Sequence, residues 1–222
     1  MKVLVIAAHP DDELLGLGGT IAKHVSHGDE VHVLMMTEGS STQYHNQPEK
    51  IEQKKREIMR VKSILGIKEI HFVDLPDMKL DTLPHVEVNA PITNIIDKLE
   101  PEIVYTHFYG DVNKDHRTIF ESTMVATRPT GNTSVKRVLC YNTPSSTEWN
   151  VQTSGTTFMP NVYVDITDYL EDKLSAFEQY ESEIRDYPHP RSIEAVKIHA
   201  RYWGTHIGVK AAEPFMLVRE IS

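Results

Sequence analysis

Five short apolar runs, Val3 to Ala8, Val31 to Thr37, Glu69 to Val73, Ile103 to His107 and Arg137 to Tyr141, constrain the fold of this chain more than any other feature. Each is too short for a typical buried helix and too uniformly apolar for a strand with one wet face. Each therefore reads as a strand buried on both sides. Helical segments recur between them. The clearest spans about Glu49 to Leu65, where Ile51, Ile58, Val61 and Leu65 share a face between Pro48 and Gly66. Gly28 closes the preceding helix in the same way. A third helix is expected to begin at Pro91 and run to Leu99, because proline suits a first helical turn and not an interior. Strand and helix in alternation imply right-handed crossovers and a mostly parallel central sheet, so the expected class is α/β, a Rossmann-like layered fold. Ligands in such sheets bind beyond the carboxyl ends of the strands, which puts residues 9–13, 37–41 and 107–116 at one edge of the molecule.

After Tyr141 the character changes. Residues 144–160 are rich in Ser, Thr, Gly and Asn, and a loop of this length is expected to face substrate. Residues 161–165 resume a strand. Leu170, Leu174, Phe177 and Ile184 mark one helix face, and Ile193, Val196, Ala200 and Trp203 mark another. Phe215 to Val218 reads as a final edge strand. Neither an internal repeat nor a linker interrupts the pattern, so residues 1–222 are read as a single domain.

Three carboxylates and an imidazole follow the first strand directly, in Ala8-His9-Pro10-Asp11-Asp12-Glu13. Like charges this close repel one another unless a cation or strong donors offset them, and a divalent metal is the simplest offset. A catalytic zinc site takes three protein ligands and keeps one position open. His9 and Asp12 supply two, and His116 of Asp115-His116 is the best candidate for the third. Fe2+ or another divalent ion also suits two His and one carboxylate. The local alternative, a hydrogen-bonded His9 and a helix-capping Asp12, accounts for one acid but not three. Asp11 is left unligated and fits a general base, since a nearby metal brings the pKa of water toward about 7; a turn or cap role for it stays open. Asp115 reads as the N-cap of a helix over 117–125, as a carboxylate that orients a metal-bound His, or as both.

The 9–13 signature with the later Asp115-His116-Arg117 resembles the PIG-L/LmbE family of zinc-dependent sugar N-deacetylases. Thr37-Glu38-Gly39, Leu65-Gly66-Ile67 and Ala212-Glu213-Pro214-Phe215 extend the resemblance in order and spacing over essentially the whole chain. It implies a hydrolase that removes the acetyl group from an N-acetylated amino sugar or sugar conjugate, with the residue at Asp11 acting first as base and then as acid. One position departs from the family pattern. Many members carry His where this chain has Asn113, and that His is held to stabilise the oxyanion; an Asn amide can donate there without positive charge. His107 and His189 are the candidates for a substitute imidazole, each with a structural role as the simpler reading. Arg191 and Arg117 are candidates for gripping a phosphate or carboxylate on the substrate, solvated surface arginine being the plainer one. Glu13 is expected to fix the motif loop or a sugar hydroxyl. An amidase acting on another sugar or thiol conjugate, and a catalytically weak metal-bearing sugar-binding protein, are the alternatives.

Gly16-Leu17-Gly18-Gly19-Thr20, with Glu38 beyond the second strand, invites a dinucleotide-binding reading. Ile21 occupies the third glycine position, and Asp11, Asp12 and Glu13 would face the pyrophosphate, so close packing of helix on strand explains these glycines better. A net charge of −9, from 32 acidic and 23 basic residues, argues against nucleic acid or an anionic membrane as partner. No apolar stretch reaches the roughly 18–20 residues of a membrane span. Cys140, the only cysteine, reads as a buried inert thiol and excludes an internal disulfide. With no export-signal pattern at the start, a cytoplasmic location is expected, and the acceptor pattern at Asn132-Thr133-Ser134 is read as coincidence. A homo-oligomer is left open.

Overall fold

The structure, a computed structural model, describes residues 1–39, 47–130 and 134–222. Ser40 and Ser41 of the second motif segment, and Asn132 and Thr133 of the acceptor pattern, lie outside the described residues. Among the described residues seven strands form one sheet: β1 (Lys2–Ala7), β2 (Glu30–Thr37), β3 (Glu69–Leu75), β4 (Ile103–His107), β5 (Arg137–Tyr141), β6 (Val162–Asp165) and β7 (Ala212–Glu220). Their order is β3-β2-β1-β4-β5-β7-β6, with parallel pairing from β3 through β5 and antiparallel pairing of β7 to both β5 and β6. The fold is the α/β layered arrangement expected.

Alternation along β1 feeds two cores. Val3, Val5 and Ala7 pack toward α1 (Asp12–Ser26), α2 (Pro48–Leu65), α5 (Leu170–Phe177) and α6 (Ile193–Thr205). Leu4, Ile6 and Ala8 pack toward α3 (His85–Leu99) and α4 (Lys114–Ala126). Helices on both faces explain why β1, β4 and β5 carry no polar face, whereas β3, at the sheet edge, is not buried on both sides as expected: Glu69, Phe72 and Asp74 are exposed.

Three further expectations are corrected. Helix α3 starts at His85 and carries Pro91 inside it. Val88, Ile92, Ile95, Ile96 and Leu99 form one continuous buried stripe, and that burial offsets the one ladder bond that proline cannot make. Helix α5 stops at Phe177, so Ile184 lies in the turn that follows. Strand β7 is interior and β6 is the edge. Pro214 is tolerated there because pairing with β5 ends at Phe215, so proline's missing N–H faces no β5 partner.

The glycines of α1 serve packing. A Cβ at Gly16 would sit 2.3 Å from the Tyr141 ring. At Leu17 the helix is kinked (φ −151°, ψ 27°). Backbone groups at the kink find partners in β7 and α5: Glu213 accepts from the Gly19 and Thr20 N–H groups, and Lys173 donates to Leu15 O. Lys173 and Glu213 also pair with each other at 2.6 Å, so the late Ala212-Glu213-Pro214 segment fastens the helix that carries the first motif. Among the described residues no helix is long and apolar enough to cross a membrane.

Candidate active site

The chain runs outward from β1 to β3 and then returns to place β4 beside β1, so the topological switch lies between β1 and β4. A cleft of about 100 Å³ opens beyond the carboxyl ends of these strands. Its walls include His9, Asp11 and Asp12 after β1, Asp77 and Met78 after β3, Asn113 and His116 after β4, and Ser145, Ser146 and Arg191. This is where a doubly wound sheet binds its ligand.

The turn from β1 into α1 is tightly built. Asp12 Oδ2 accepts from His9 N at 2.8 Å, and Asp11 O accepts from Leu14 N and Leu15 N. Neither Asp11 nor Asp12 caps the helix with its side chain. Asp11 itself is held at φ 122°, a conformation an L-residue adopts only at a cost in strain, of the sort found at functional turns.

His9 Nδ1, Asp12 Oδ2 and His116 Nε2 form a near-equilateral triangle. His9 to His116, His9 to Asp12 and Asp12 to His116 each measure 3.3 Å. A tetrahedral ion at about 2.0–2.1 Å from each donor would require donor–donor edges of about 3.3–3.4 Å, so the residues present fit such an ion without rearrangement. The far nitrogens are backed by carboxylates: His9 Nε2 lies 3.2 Å from Asp115 and 3.3 Å from Asp77, and His116 Nδ1 lies 3.2 Å from Asp111. Carboxylates placed there keep a proton on the outer nitrogen and turn the inner lone pair toward the triangle. His9, Asp77 and Asp115 form a second cluster with ligand spacing, but Asp115 is engaged by the Met78 and Leu80 N–H groups.

The electrostatics show the same demand for positive charge. Burial disfavours charging His9, yet hydrogen bonds to Asp115 and Asp12 raise its pKa to about 10. Burial opposes His116 too, and Asp12 and Asp111 lift it to about 9. Burial would raise Asp12, but His116 and His107 hold it well below the usual range. Asp11 goes the other way: burial and the Glu183 charge raise it well above the usual range, against the pull of Arg191.

The remaining candidates are distributed as follows. Asn113, not Asp115, caps α4, with its Oδ1 accepting from Asp115 N at 2.9 Å; its Nδ2 faces Met78 Sδ on the cleft wall. Arg191 reaches the cleft, but its Nη1 is bonded to Asp11 at 3.2 Å and Glu183 at 2.6 Å, and its Nε to Ser145 Oγ at 2.8 Å. Glu13 is fully buried away from the cleft wall, accepting from Tyr180 Oη and Asp11 N, and burial raises it to about 7. These contacts tie it to the motif turn. Arg117 and His189 do not line the cleft. His107 is enclosed: its Nε2 accepts the Ala8 N–H at 2.9 Å, its ring stacks 3.9 Å from that of His116, and burial drives its pKa far down. With Nε2 accepting, the proton of a neutral ring sits on Nδ1, which faces Thr143 Oγ1 at 3.3 Å.

Four residues escaped sequence reasoning. Asp77 and Asp111 back the two imidazoles, and both stand just past strand ends, a position the sheet-edge rule could have flagged. Lys54 and Glu183 pair at 2.6 Å from α2 and the turn after α5, and no local pattern announces them. The early part of the 144–160 loop does face the cleft, through Ser145 and Ser146.

The family model for GlcNAc-PI de-N-acetylase (PIG-L) matches residues 4–127. The diacetylchitobiose deacetylase of Thermococcus kodakarensis is 31% identical, over 98% of this chain and 83% of that protein. The solved N,N'-diacetylchitobiose deacetylase of Pyrococcus horikoshii superposes with a TM-score of 0.78 at 27% identity, covering 98% of this chain and 84% of that one. A 4-carboxy-2-hydroxymuconate hydratase from Pseudomonas putida shares the fold alone, with a TM-score of 0.77 at 19% identity over 100% and 97% of the two chains. Cleft position, signature turn and sequence kinship agree, and this chain belongs to the PIG-L family of GlcNAc-PI de-N-acetylases.

Proposed function

We propose that this chain hydrolyses the acetamido group of an N-acetylated amino sugar or sugar conjugate, with His9, Asp12 and His116 holding one divalent ion, zinc by donor type. The observation that carries this reading is the 3.3 Å donor triangle on the cleft wall with a carboxylate outside the triangle, Asp11, beside it. When bound, the ion supplies Lewis acidity, lowering the pKa of water and polarising the amide carbonyl. Asp11 takes the proton of the attacking water as its oxygen bonds to the carbonyl carbon. Asp11 then returns that proton to the nitrogen as the C–N bond breaks, so acetate and a free amine leave. Its raised pKa suits a group that must both accept and release a proton. Arg191 fixes the Asp11 carboxylate from the side. The helix cap fixes the Asn113 amide through Oδ1, and its Nδ2 is the group that donates to the developing oxyanion.

The test is acetate release from a panel of free, lipid-linked and nucleotide-linked N-acetylhexosamines, with and without chelator. Chelator-sensitive release is expected from at least one. Sugar binding with no release from any member would favour a binding protein.

A further inference from the structure

Three hydroxyl residues in a row, Ser145-Ser146-Thr147, are buried in the turn that follows β5, with Ser145 and Ser146 on the cleft wall. The proposed chemistry uses none of them. Ser145 sits at φ 71°, in the left-handed region that a serine enters only at a cost in strain. The turn keeps that shape because Glu148 accepts from the Ser145 and Ser146 N–H groups, at 2.6 and 3.3 Å, and Thr147 Oγ1 accepts from Thr143 N at 2.8 Å.

The three hydroxyls serve two partners. Ser146 Oγ donates to Asp111 Oδ1, and Thr147 Oγ1 donates to Asp111 Oδ2 at 2.7 Å. Both oxygens of that carboxylate are thereby fixed, and Oδ1 is the one that faces His116 Nδ1 at 3.2 Å. A carboxylate that is oriented and kept ionised by donors on both oxygens holds the imidazole beyond it in one orientation. Ser145 Oγ accepts instead from Arg191 Nε at 2.8 Å, while Arg191 Nη1 donates to Asp11 at 3.2 Å. Through one intermediary each, a single turn reaches both His116 and Asp11.

We propose that Ser145, Ser146 and Thr147 are positioning residues: Ser146 and Thr147 hold His116 through Asp111, Ser145 holds Asp11 through Arg191, and the stiff turn sets the spacing of the base from the metal. This rests on the deacetylase reading above, and its test separates the two. Spacing matters because a misplacement of about 1 Å can cost about a hundredfold in rate.

The two arms have separate readouts. Ser146→Ala removes the donor to Asp111 Oδ1 and keeps the backbone bonds of the turn; Thr147→Val removes the donor to Oδ2 at nearly constant shape. In each, zinc affinity measured against a chelating dye should fall about tenfold, the visible spectrum of the cobalt-loaded protein should change, and Thr147→Ser should restore both readings. Ser145→Ala should keep wild-type zinc affinity while kcat falls about tenfold at unchanged KM. Ser145→Gly relieves the backbone at φ 71° but also lacks the hydroxyl, so it should show the same loss. Wild-type zinc affinity in both Ser146→Ala and Thr147→Val, no rescue by Thr147→Ser, a rise in KM alone in Ser145→Ala, or full turnover in Ser145→Gly would overturn the proposal. Zinc affinity that depends on Ser146 and Thr147 in a protein that releases no acetate would leave the Asp111 arm standing and defeat the deacetylase reading instead.

Discussion

Replacing Asp11 by asparagine separates proton transfer from metal binding and from folding. Asn matches Asp in size and shape, so the backbone at φ 122° has no reason to move. An Asn carbonyl can still accept from Arg191 Nη1, now at 3.2 Å, and Arg191 keeps its 2.6 Å contact with Glu183. Losing the carboxylate charge also relieves repulsion with Glu183 and Asp12. The net change in stability should therefore stay within about 1 kcal/mol. Catalysis should suffer far more, because a positioned acid–base group contributes about 10²–10⁴-fold, or about 2.7–5.4 kcal/mol of barrier. The assay is amine or acetate release alongside metal content and thermal unfolding of the same preparation. Full metal, an unchanged melting temperature and a loss of about a hundredfold or more in kcat are expected. A variant that keeps most of its turnover would remove Asp11 from the mechanism, and one that loses its metal would make Asp11 a ligand.

Two further perturbations probe the supporting structure. Asp111→Asn leaves size unchanged but weakens the acceptor facing His116 Nδ1, so affinity for zinc should fall about 10–100-fold in competition with a chelating dye. Burial, followed by the Lys173 charge, pushes His199 down to about 4, against about 6.5 in an unfolded chain. The unfolded state then binds the extra proton, so stability is lost as pH falls from about 6.5 toward about 4; with the ring only partly buried, the loss is about 1–2 kcal/mol. Urea unfolding at neutral and mildly acidic pH should show that slope in wild type and a flatter one in His199→Gln.

The sheet was legible because parallel strands buried on both faces leave unbroken apolar runs, as in β1, β2, β4 and β5; β3 lies where its run does but is half exposed at the edge. The end of the sheet was not. Strand β7 carries Pro214, Arg219 and Glu220, a composition that signals an edge, and only pairing with the four-residue β6 makes it interior. Pro91 misled in the same way, since a local rule about proline was overridden by the packing of Val88 and Ile92 on the sheet. At the site, residues close together in sequence could be read together, as with His9, Asp11 and Asp12. The groups that orient them come from distant segments. Asp77, Asp111, Lys54 and Glu183 acquire their roles only when four loops and a helix converge, and Arg191, read as a grip for anions, is occupied by carboxylates that sequence order does not place beside it.

Elemental analysis of the purified protein tests most directly whether His9, Asp12 and His116 share one ion. Wild type, His9→Ala and His116→Ala would each be checked for native unfolding behaviour, stripped with chelator, reloaded and assayed for bound metal and acetate release. One equivalent of a divalent metal in wild type, falling below about a tenth in each variant together with activity, is the predicted result. Full occupancy in folded His116→Ala would contradict the account.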